Sequence, residues 1–170
     1  MTKVYNFFGL TALMLLTLIS CPVGVMAQAN ASYSSIQVEC LGVEMDGSQT
    51  LRVLGVGRNK TDAVEQAKKN AVAVVLFVGV RGGEGCDQRP LLPEVNARQK
   101  YEEYFDRFFV DKGEYRKFVS MEDTKRRSTK KKKSKIQEYY YVTVRVLRSE
   151  LKRQLVNDGL LQQPANQDND

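Results

Sequence analysis

The chain has 170 residues, of which 42% are hydrophobic and 27% charged, a size and composition typical of one domain with a buried core. It has no histidine and its three cysteines are widely spaced, which disfavours a zinc or iron site and a histidine-activated nucleophile. One lysine-rich segment has eight positively charged residues and no acid, which is more than the net charge of +6 of the whole chain. The chain therefore carries one basic loop and is not basic throughout.

A secretory signal peptide is predicted at residues 1–27. Lys3 supplies the positive start, and residues 7–20 (FFGLTALMLLTLIS) are uncharged and apolar. This apolar segment is about 14 residues long, whereas a bilayer-spanning helix needs roughly 20. Val25 and Ala27 place small side chains where signal peptidase requires them, so cleavage is predicted after Ala27.

A lipobox is the alternative processing site in the same leader. Residues 18–21 (LISC) resemble one, in which case Cys21 would be lipidated and would tether the protein to a membrane. Pro22 makes this a poorer lipobox, so cleavage after Ala27 is preferred. Both routes predict export to the periplasm or the outer membrane, with membrane attachment only through Cys21.

After the signal peptide, a mobile leader is predicted at residues 28–35 and a single domain at residues 36–159. Residues 36–40 (IQVEC) alternate between apolar and polar side chains, the period of a half-buried strand. An Asp-Gly turn signal follows, and residues 50–56 (TLRVLGV) again have a strand pattern. These two strands are predicted to form a hairpin.

A long helix is predicted after a glycine-containing turn at Gly55 and Gly57. Asn59 or Thr61 can cap its start, and its apolar residues then recur at three- and four-residue steps. After Asn70 the polar face disappears, so the last two turns must be covered on all sides. A row of small side chains is expected to let the helix approach a sheet closely: Ala63, Ala67 and Ala71.

The segment after this helix is expected to cover its apolar end. Residues 81–93 contain glycines, prolines and Cys86 and are predicted to be a loop. A second helix is predicted to start at Glu94 and to carry an aromatic stripe that packs as core on the first helix. The stripe consists of Tyr101, Tyr104, Phe105, Phe108 and Phe109.

A second hairpin is predicted towards the end of the chain. Residues 114–120 are a strand candidate, residues 136–147 have the strongest strand pattern, and the basic residues between them would form the hairpin tip. The buried face of the later strand is predicted to consist of Tyr140, Val142, Val144 and Val146. Ser149 is expected to cap a short helix at residues 150–157, and residues 160–170 to be a disordered tail.

Two cysteines, Cys40 and Cys86, remain after the leader is processed. In an exported domain such a pair can form one disulfide, which would contribute roughly 3–4 kcal/mol. The alternative is two separate buried thiols, because free cysteine behaves as a small core residue.

The lysine-rich segment, residues 125–135, is the surface feature that suggests a partner. Its cations are Lys125, Arg126, Arg127, Lys130, Lys131, Lys132, Lys133 and Lys135. They would meet the phosphates of lipopolysaccharide or phospholipid, or an acidic protein. No aromatic residue is interleaved, so specific nucleic-acid binding by base stacking is not expected. The alternative is a solvated hairpin tip that guards the sheet edge.

These elements predict an α+β fold with two layers: a small antiparallel sheet of two hairpins, with the Ala/Val-rich helix and the aromatic helix on one face. Three segments resemble the N-terminal domain of the flagellar assembly protein FlgT and related small lipoproteins of the periplasm and outer membrane. They are the strand ending in GVG at residues 55–57, the helix DAVEQAKKNAVAVVLFVGV at residues 62–80, and the strand YYYVTVRVL at residues 139–147.

The resemblance covers most of residues 36–155 and rests on patterns of Ala, Gly and Val. It implies a small module with an Ala-rich helix on a short antiparallel sheet, an assembly or interaction role in the envelope, and no catalytic residues. The chain departs from the family in its Gly/Pro loop at residues 81–93 and in its lysine-rich hairpin, and no flagellar function is implied.

The function expected from the sequence is that of an exported, non-catalytic binding or assembly module of the envelope, with an unknown envelope protein or an anionic surface as partner. No cofactor and no metal are expected. One alternative is a polyanion- or lipopolysaccharide-binding protein that acts through residues 125–135. Another is a small secreted hydrolase, because catalysis by two carboxylates needs only paired acids in a cleft.

Overall fold

The structure is a computed structural model that describes residue 33 and residues 35–121, 129–133 and 137–162, with residues 129–133 described by their backbone alone. The predicted signal peptide, with Cys21 and Ala27, lies outside these residues. So do most of the predicted leader and residues 163–170 of the predicted tail.

The described chain forms one antiparallel sheet with helices, which confirms the predicted α+β class. The strands are β1 (Val38–Val43), β2 (Gln49–Gly57), β3 (Val119–Ser120), β4 (Thr129–Lys133) and β5 (Glu138–Val146). The helices are α1 (Lys60–Phe77), α2 (Ala97–Lys100), α3 (Glu102–Phe108) and α4 (Arg148–Asn157), with a 3₁₀ helix at Glu114–Phe118. The strand order is β1-β2-β5, and both β3 and β4 pair with the other edge of β5.

The buried face of the sheet follows the period-two patterns of its strands. The predicted β1–β2 hairpin is present, and Leu51 and Val53 of β2 are fully buried beneath α1. The predicted buried face of β5 is confirmed as well, and its members are Tyr140, Val142, Val144 and Val146. Because alternate side chains of a strand point to opposite faces, the intervening residues lie on the face away from α1. They are Thr50, Arg52, Leu54 and Val56 of β2 and Tyr139, Tyr141, Thr143 and Arg145 of β5.

Helix α1 approaches the sheet closely through its row of alanines. Ala63, Ala67 and Ala71 have no exposed surface, as predicted. A Cβ atom at Gly55 of β2 would lie 1.9 Å from the carbonyl oxygen of Ala63, so this position accepts only glycine. The Asn59 side chain caps the helix by accepting a hydrogen bond from the Asp62 N–H at 3.0 Å.

The loop after α1 closes the C-terminal end of this helix. Gly79 has a positive φ of 80°, which turns the chain out of the helix. The N–H groups of Leu91 and Leu92 then donate to the carbonyl oxygens of Val75 and Leu76, at 3.0 and 2.9 Å. These carbonyls have no partner within a helix that ends at Phe77. The loop therefore covers the apolar last turns that the sequence predicted to need a cover.

A disulfide joins Cys40 on β1 to Cys86 in this loop, with the two Cα atoms 5.8 Å apart. The same loop adds to the outer edge of β1, because the Cys40 N–H donates to the Gly82 carbonyl oxygen at 2.6 Å. Of the two alternatives for the cysteine pair, the structure therefore contains the disulfide and not two separate thiols.

The aromatic segment packs as core, but its predicted helix is interrupted. It begins three residues later than predicted, and Tyr101, with φ −116° and ψ 38°, separates α2 from α3. The ring centre of Phe105 lies 4.8 Å from that of Phe77 at the end of α1. Phe108 stacks on Phe118 at 5.9 Å, so the stripe also packs against the 3₁₀ helix.

The strand predicted at residues 114–120 is wrong for its first five residues. Tyr115 and Phe118, three residues apart, are both buried, a spacing that suits a helical turn and not a strand. Only Val119 and Ser120 pair with β5.

The predicted boundaries at the two ends of the domain also differ from the structure. Ser149 does not cap α4, because the helix begins at Arg148 and its N-cap position is Leu147. The Ser149 hydroxyl donates to the Asp46 carbonyl oxygen in the β1–β2 turn, at 3.0 Å. Leu160 and Leu161 pack partly against the core, two residues into the predicted tail. Tyr33, from the predicted mobile leader, stacks on Phe77 with ring centres 5.4 Å apart.

Candidate functional site

The lysine-rich segment is partly a strand and not the tip of a hairpin. Thr129–Lys133 form β4, which pairs antiparallel with the first half of β5. The predicted hairpin-tip location is therefore wrong for Lys130, Lys131, Lys132 and Lys133. The other predicted contact residues lie outside the described part of the chain, and they are Lys125, Arg126, Arg127 and Lys135.

The position of β4 follows from the edge of β5. The short β3 pairs only with Arg145 and Val146, which leaves the N–H and C=O groups in the first half of β5 without a partner from β3. An unpaired edge is open to another strand, and β4 occupies it. Four consecutive lysines have no apolar alternation, so nothing in their local pattern predicted a strand.

This pairing brings tyrosines next to the basic strand. Lys130 lies opposite Tyr140 and Lys132 opposite Tyr139, with an irregularity in register between the two lysines. The sequence has no aromatic residue within residues 125–135, but the sheet supplies tyrosines from β5, the neighbouring strand. Sequence reasoning missed these tyrosines as site residues because it considered the segment alone.

The face of the sheet opposite α1 continues this surface. Tyr139 pairs with Val56 and Tyr141 with Leu54 of β2, and all four side chains are half-buried. The guanidinium of Arg52 lies 5.7 Å from the ring centre of Tyr141, within the range of a cation–π contact. Aromatic and aliphatic groups therefore lie beside β4 on a partly exposed face.

The charges are not evenly distributed from one edge of the sheet to the other. Near β1, the arginines are paired with acids, since Arg52 contacts Glu39 and Arg145 contacts Glu44 at 3.3 Å. Near β4, four consecutive lysines follow one another along the strand. Lys132 lies opposite Tyr139 of this face, whereas Lys130 lies opposite Tyr140 of the face that packs on α1. Positive charge is thus concentrated at the β4 side of the sheet. We call β4, together with Tyr139 and Tyr141, the basic–tyrosine surface.

A second charged region surrounds Glu65 of α1, in a groove of about 420 Å³. The Glu65 carboxylate accepts hydrogen bonds from the Tyr115 hydroxyl and, at 2.7 Å, from Arg116 Nε. Partial burial would raise the pKa of Glu65, but these two bonds and the nearby Lys68 outweigh it and hold the pKa at about 2. Burial and the bond to Glu65 raise the pKa of Tyr115 to about 12.

Replacement of Glu65 by glutamine is expected to lower the free energy of unfolding at pH 7 by about 1.5–3 kcal/mol, the range for a hydrogen bond to a charged group. Because the folded pKa of about 2 lies below the ordinary value of 4.5, this stabilisation exists above pH 4.5 and is lost as the pH falls towards 2. Urea unfolding at several pH values measures it. Glu103→Gln, at an exposed position of α3, is the control. A pH-independent difference between Glu65→Gln and the unaltered chain would contradict the expectation.

The pKa values of the carboxyl groups are relevant to the alternative function, that of a carboxylate-dependent hydrolase. Such an enzyme needs one acid whose pKa is raised, so that it can donate a proton. Among the described residues, the carboxyl groups whose pKa departs clearly from its ordinary value are all shifted downwards by hydrogen bonds or nearby cations. They are Asp46, Glu65, Asp87 and Asp111.

Residues 33, 35–121, 129–133 and 137–162 contain no group of three or more Cys, Asp and Glu side chains arranged to ligate a metal ion. None of the helices within the same ranges has both the length and the apolar character of a membrane-spanning helix. Comparison with protein families, with characterised proteins and with solved structures found no match to this chain.

Proposed function

We propose that this chain is an exported, non-catalytic binding module of the cell envelope that engages a phosphate-bearing anionic surface through the basic–tyrosine surface. The pairing of β4 with β5 is the observation that carries the proposal. It places Lys130–Lys133 on a strand of the domain. A charged segment held in a sheet loses less conformational freedom on binding than the same segment in a free loop.

The chemistry of the partner follows from the residues at this surface. Each Lys or Arg close to an anionic membrane contributes about 1 kcal/mol of attraction. Tyrosines have an apolar ring and a polar tip, which suits the boundary between headgroups and water. Lipopolysaccharide and anionic phospholipids both present phosphates at such a boundary.

Export is supported by two features of the chain. The leader at residues 1–27 has the pattern of a signal peptide, with cleavage after Ala27 or lipidation of Cys21 as the two ways of processing it. The Cys40–Cys86 disulfide suits an oxidising compartment such as the periplasm. The resemblance to the FlgT N-terminal domain and its related lipoproteins supports the same location and a role in binding or assembly.

Replacing Lys130–Lys133 by serines is expected to weaken binding to lipopolysaccharide and to anionic phospholipid vesicles by about 100-fold or more at low salt, because four cations are lost. Vesicle co-sedimentation over a salt series measures this, with neutral vesicles as the reference. Loss of binding to lipopolysaccharide alone would identify that lipid as the partner, and loss on both would identify the shared phosphates.

The matched control removes four cations elsewhere on the exposed surface, at Lys100, Arg107, Lys117 and Arg153. It has the same net charge as the β4 variant and is expected to retain binding. Equal losses in the two variants would mean that net charge alone drives association. Unchanged binding by the β4 variant would overturn the proposal.

A further inference from the structure

A groove separate from the basic–tyrosine surface lies where the β1–β2 turn, the disulfide-bonded loop and the start of α4 meet. Its volume is about 400 Å³. The lining includes Val43, Gln49, Leu91, Arg148 and Lys152. It therefore combines apolar side chains, one carboxamide and two cations with the carboxylate of Asp87.

Gln49 is a polar residue at a core position. It precedes Leu51 and Val53 on the buried face of β2, it is only 2% exposed, and its neighbours across the sheet are Val43 and Val146. Its Oε1 atom has no hydrogen-bond partner in the described part of the chain. Burying an unpaired carboxamide opposes folding, whereas an apolar side chain would suit these neighbours. Such a departure from the core pattern is typical of a functional site, and it indicates a ligand that supplies a donor.

Arg148 supplies a second unpaired atom in the same groove. Its side chain is 14% exposed, and Nη2 donates to the Asp87 carboxylate at 2.8 Å and to the Arg89 carbonyl oxygen at 3.1 Å. Its Nη1 atom has no hydrogen-bond partner among the residues that the structure describes. One side of the guanidinium is thus fixed by the loop, and the other side has a donor for an acceptor on a ligand.

The charges around the groove favour one anionic group. The Arg148 cation is balanced by Asp87, while Lys152 makes no ion pair within the described ranges. Helix α4 has ten residues and starts without a side-chain cap, because the residue at its N-cap position is the apolar Leu147. The N-terminal end of a helix attracts negative charge. An anion at this end would thus be stabilised by Arg148, Lys152 and the helix itself.

We propose that this groove binds the C-terminal residue of a peptide. The terminal carboxylate accepts a hydrogen bond from Arg148 Nη1, the N–H of the same residue donates to Gln49 Oε1, and an apolar side chain packs on Val43 and Leu91. A simple carboxylate would leave Gln49 unpaired, because it has no donor. Both unpaired protein atoms are enclosed in the free protein, so both side chains adjust on binding. The Gln49 carboxamide turns towards the groove about a torsion with a broad energy profile, and the Arg148 guanidinium tilts about its Nη2 contacts so that Nη1 reaches the ligand.

The test is an NMR titration of the full chain with acetyl-Ala-Leu as the free acid and, separately, as its C-terminal amide. The free acid is expected to shift the side-chain amide resonances of Gln49, and the amide to bind at least tenfold more weakly. Equal binding of the two peptides, or no shift at Gln49, would overturn the proposal. Glucuronate is the third probe, and a preference for it over the free-acid peptide would assign the groove to acidic sugars and overturn the peptide assignment.

Variants separate binding from a structural role. Gln49→Met is expected to weaken binding of the free acid at least tenfold and to raise the melting temperature, because it removes an unpaired buried carboxamide. Gln99→Met, at an exposed position of α2, is expected to change neither quantity. Unaltered peptide binding by Gln49→Met would overturn the proposal. The serine variant of Lys130–Lys133 is expected to retain peptide binding, so this site and the basic–tyrosine surface are tested independently.

Discussion

Replacement of Ala67 by glutamate is expected to abolish folding of the domain. Ala67 lies in the middle of the alanine row of α1, has no exposed surface, and faces β2 where Gly55 removes even a Cβ atom from the contact. A glutamate there would need space that the close-packed interface does not have. Its carboxylate would also be buried without a partner. The loss exceeds about 4–5 kcal/mol, which is close to the whole stability of a small domain.

Circular dichroism and urea unfolding of the purified variant measure this effect. Thr61→Glu is the matched control, because it introduces the same side chain at an exposed position in the first turn of α1, where negative charge is favourable. The control is expected to fold with unchanged or slightly higher stability. A folded Ala67→Glu variant would mean that another face of α1 contacts the sheet.

Removal of the Cys40–Cys86 disulfide is expected to lower the free energy of unfolding by about 4 kcal/mol. The bond closes a loop with a sequence separation of 46, and the loss of loop-closure entropy in the unfolded chain scales with the logarithm of that length. The bond also holds the segment that caps α1 through Leu91 and Leu92. Reduction would therefore loosen the end of the helix in the folded state and would also increase the conformational entropy of the unfolded chain.

The measurement compares urea midpoints with and without a dithiol reductant. The oxidised chain is expected to lose stability on reduction, while the double variant Cys40→Ala and Cys86→Ala has low stability in both conditions. The double variant is the control for any effect of the reductant itself. A midpoint that reductant does not change in the unaltered chain would show that the two cysteines do not pair in the purified protein.

Much of the fold could be read from local periodicity. The alanine row of α1 and the buried face of β5 were both predicted, because a side chain's position on a helix or strand depends on its spacing along that element. The sequence does not distinguish a disulfide between Cys40 and Cys86 from a pair of free thiols. Whether two cysteines 46 positions apart meet depends on the path of the loop between them.

The candidate surfaces were much less predictable. The lysines of β4 were expected in a hairpin tip, because strand propensity is low for lysine and depends on the neighbouring strand. Their pairing with β5 is imposed by an edge that β3 leaves uncovered. Similarly, the break at Tyr101 and the helical turn at Tyr115 reflect how the aromatic rings pack, which no local pattern specifies.

By itself the sequence determined the class of fold, the main helix with its sheet-facing alanines, the two principal strands and the concentration of charge in one segment. Only the tertiary structure decided which residues lie together at the surface. It brings Gln49 and Arg148, 99 positions apart in sequence, to one groove, and it sets the tyrosines of β5 beside the lysines of β4. The physical reason is that burial patterns repeat within an element, whereas an unpaired edge or an unpaired buried atom is created only when elements meet.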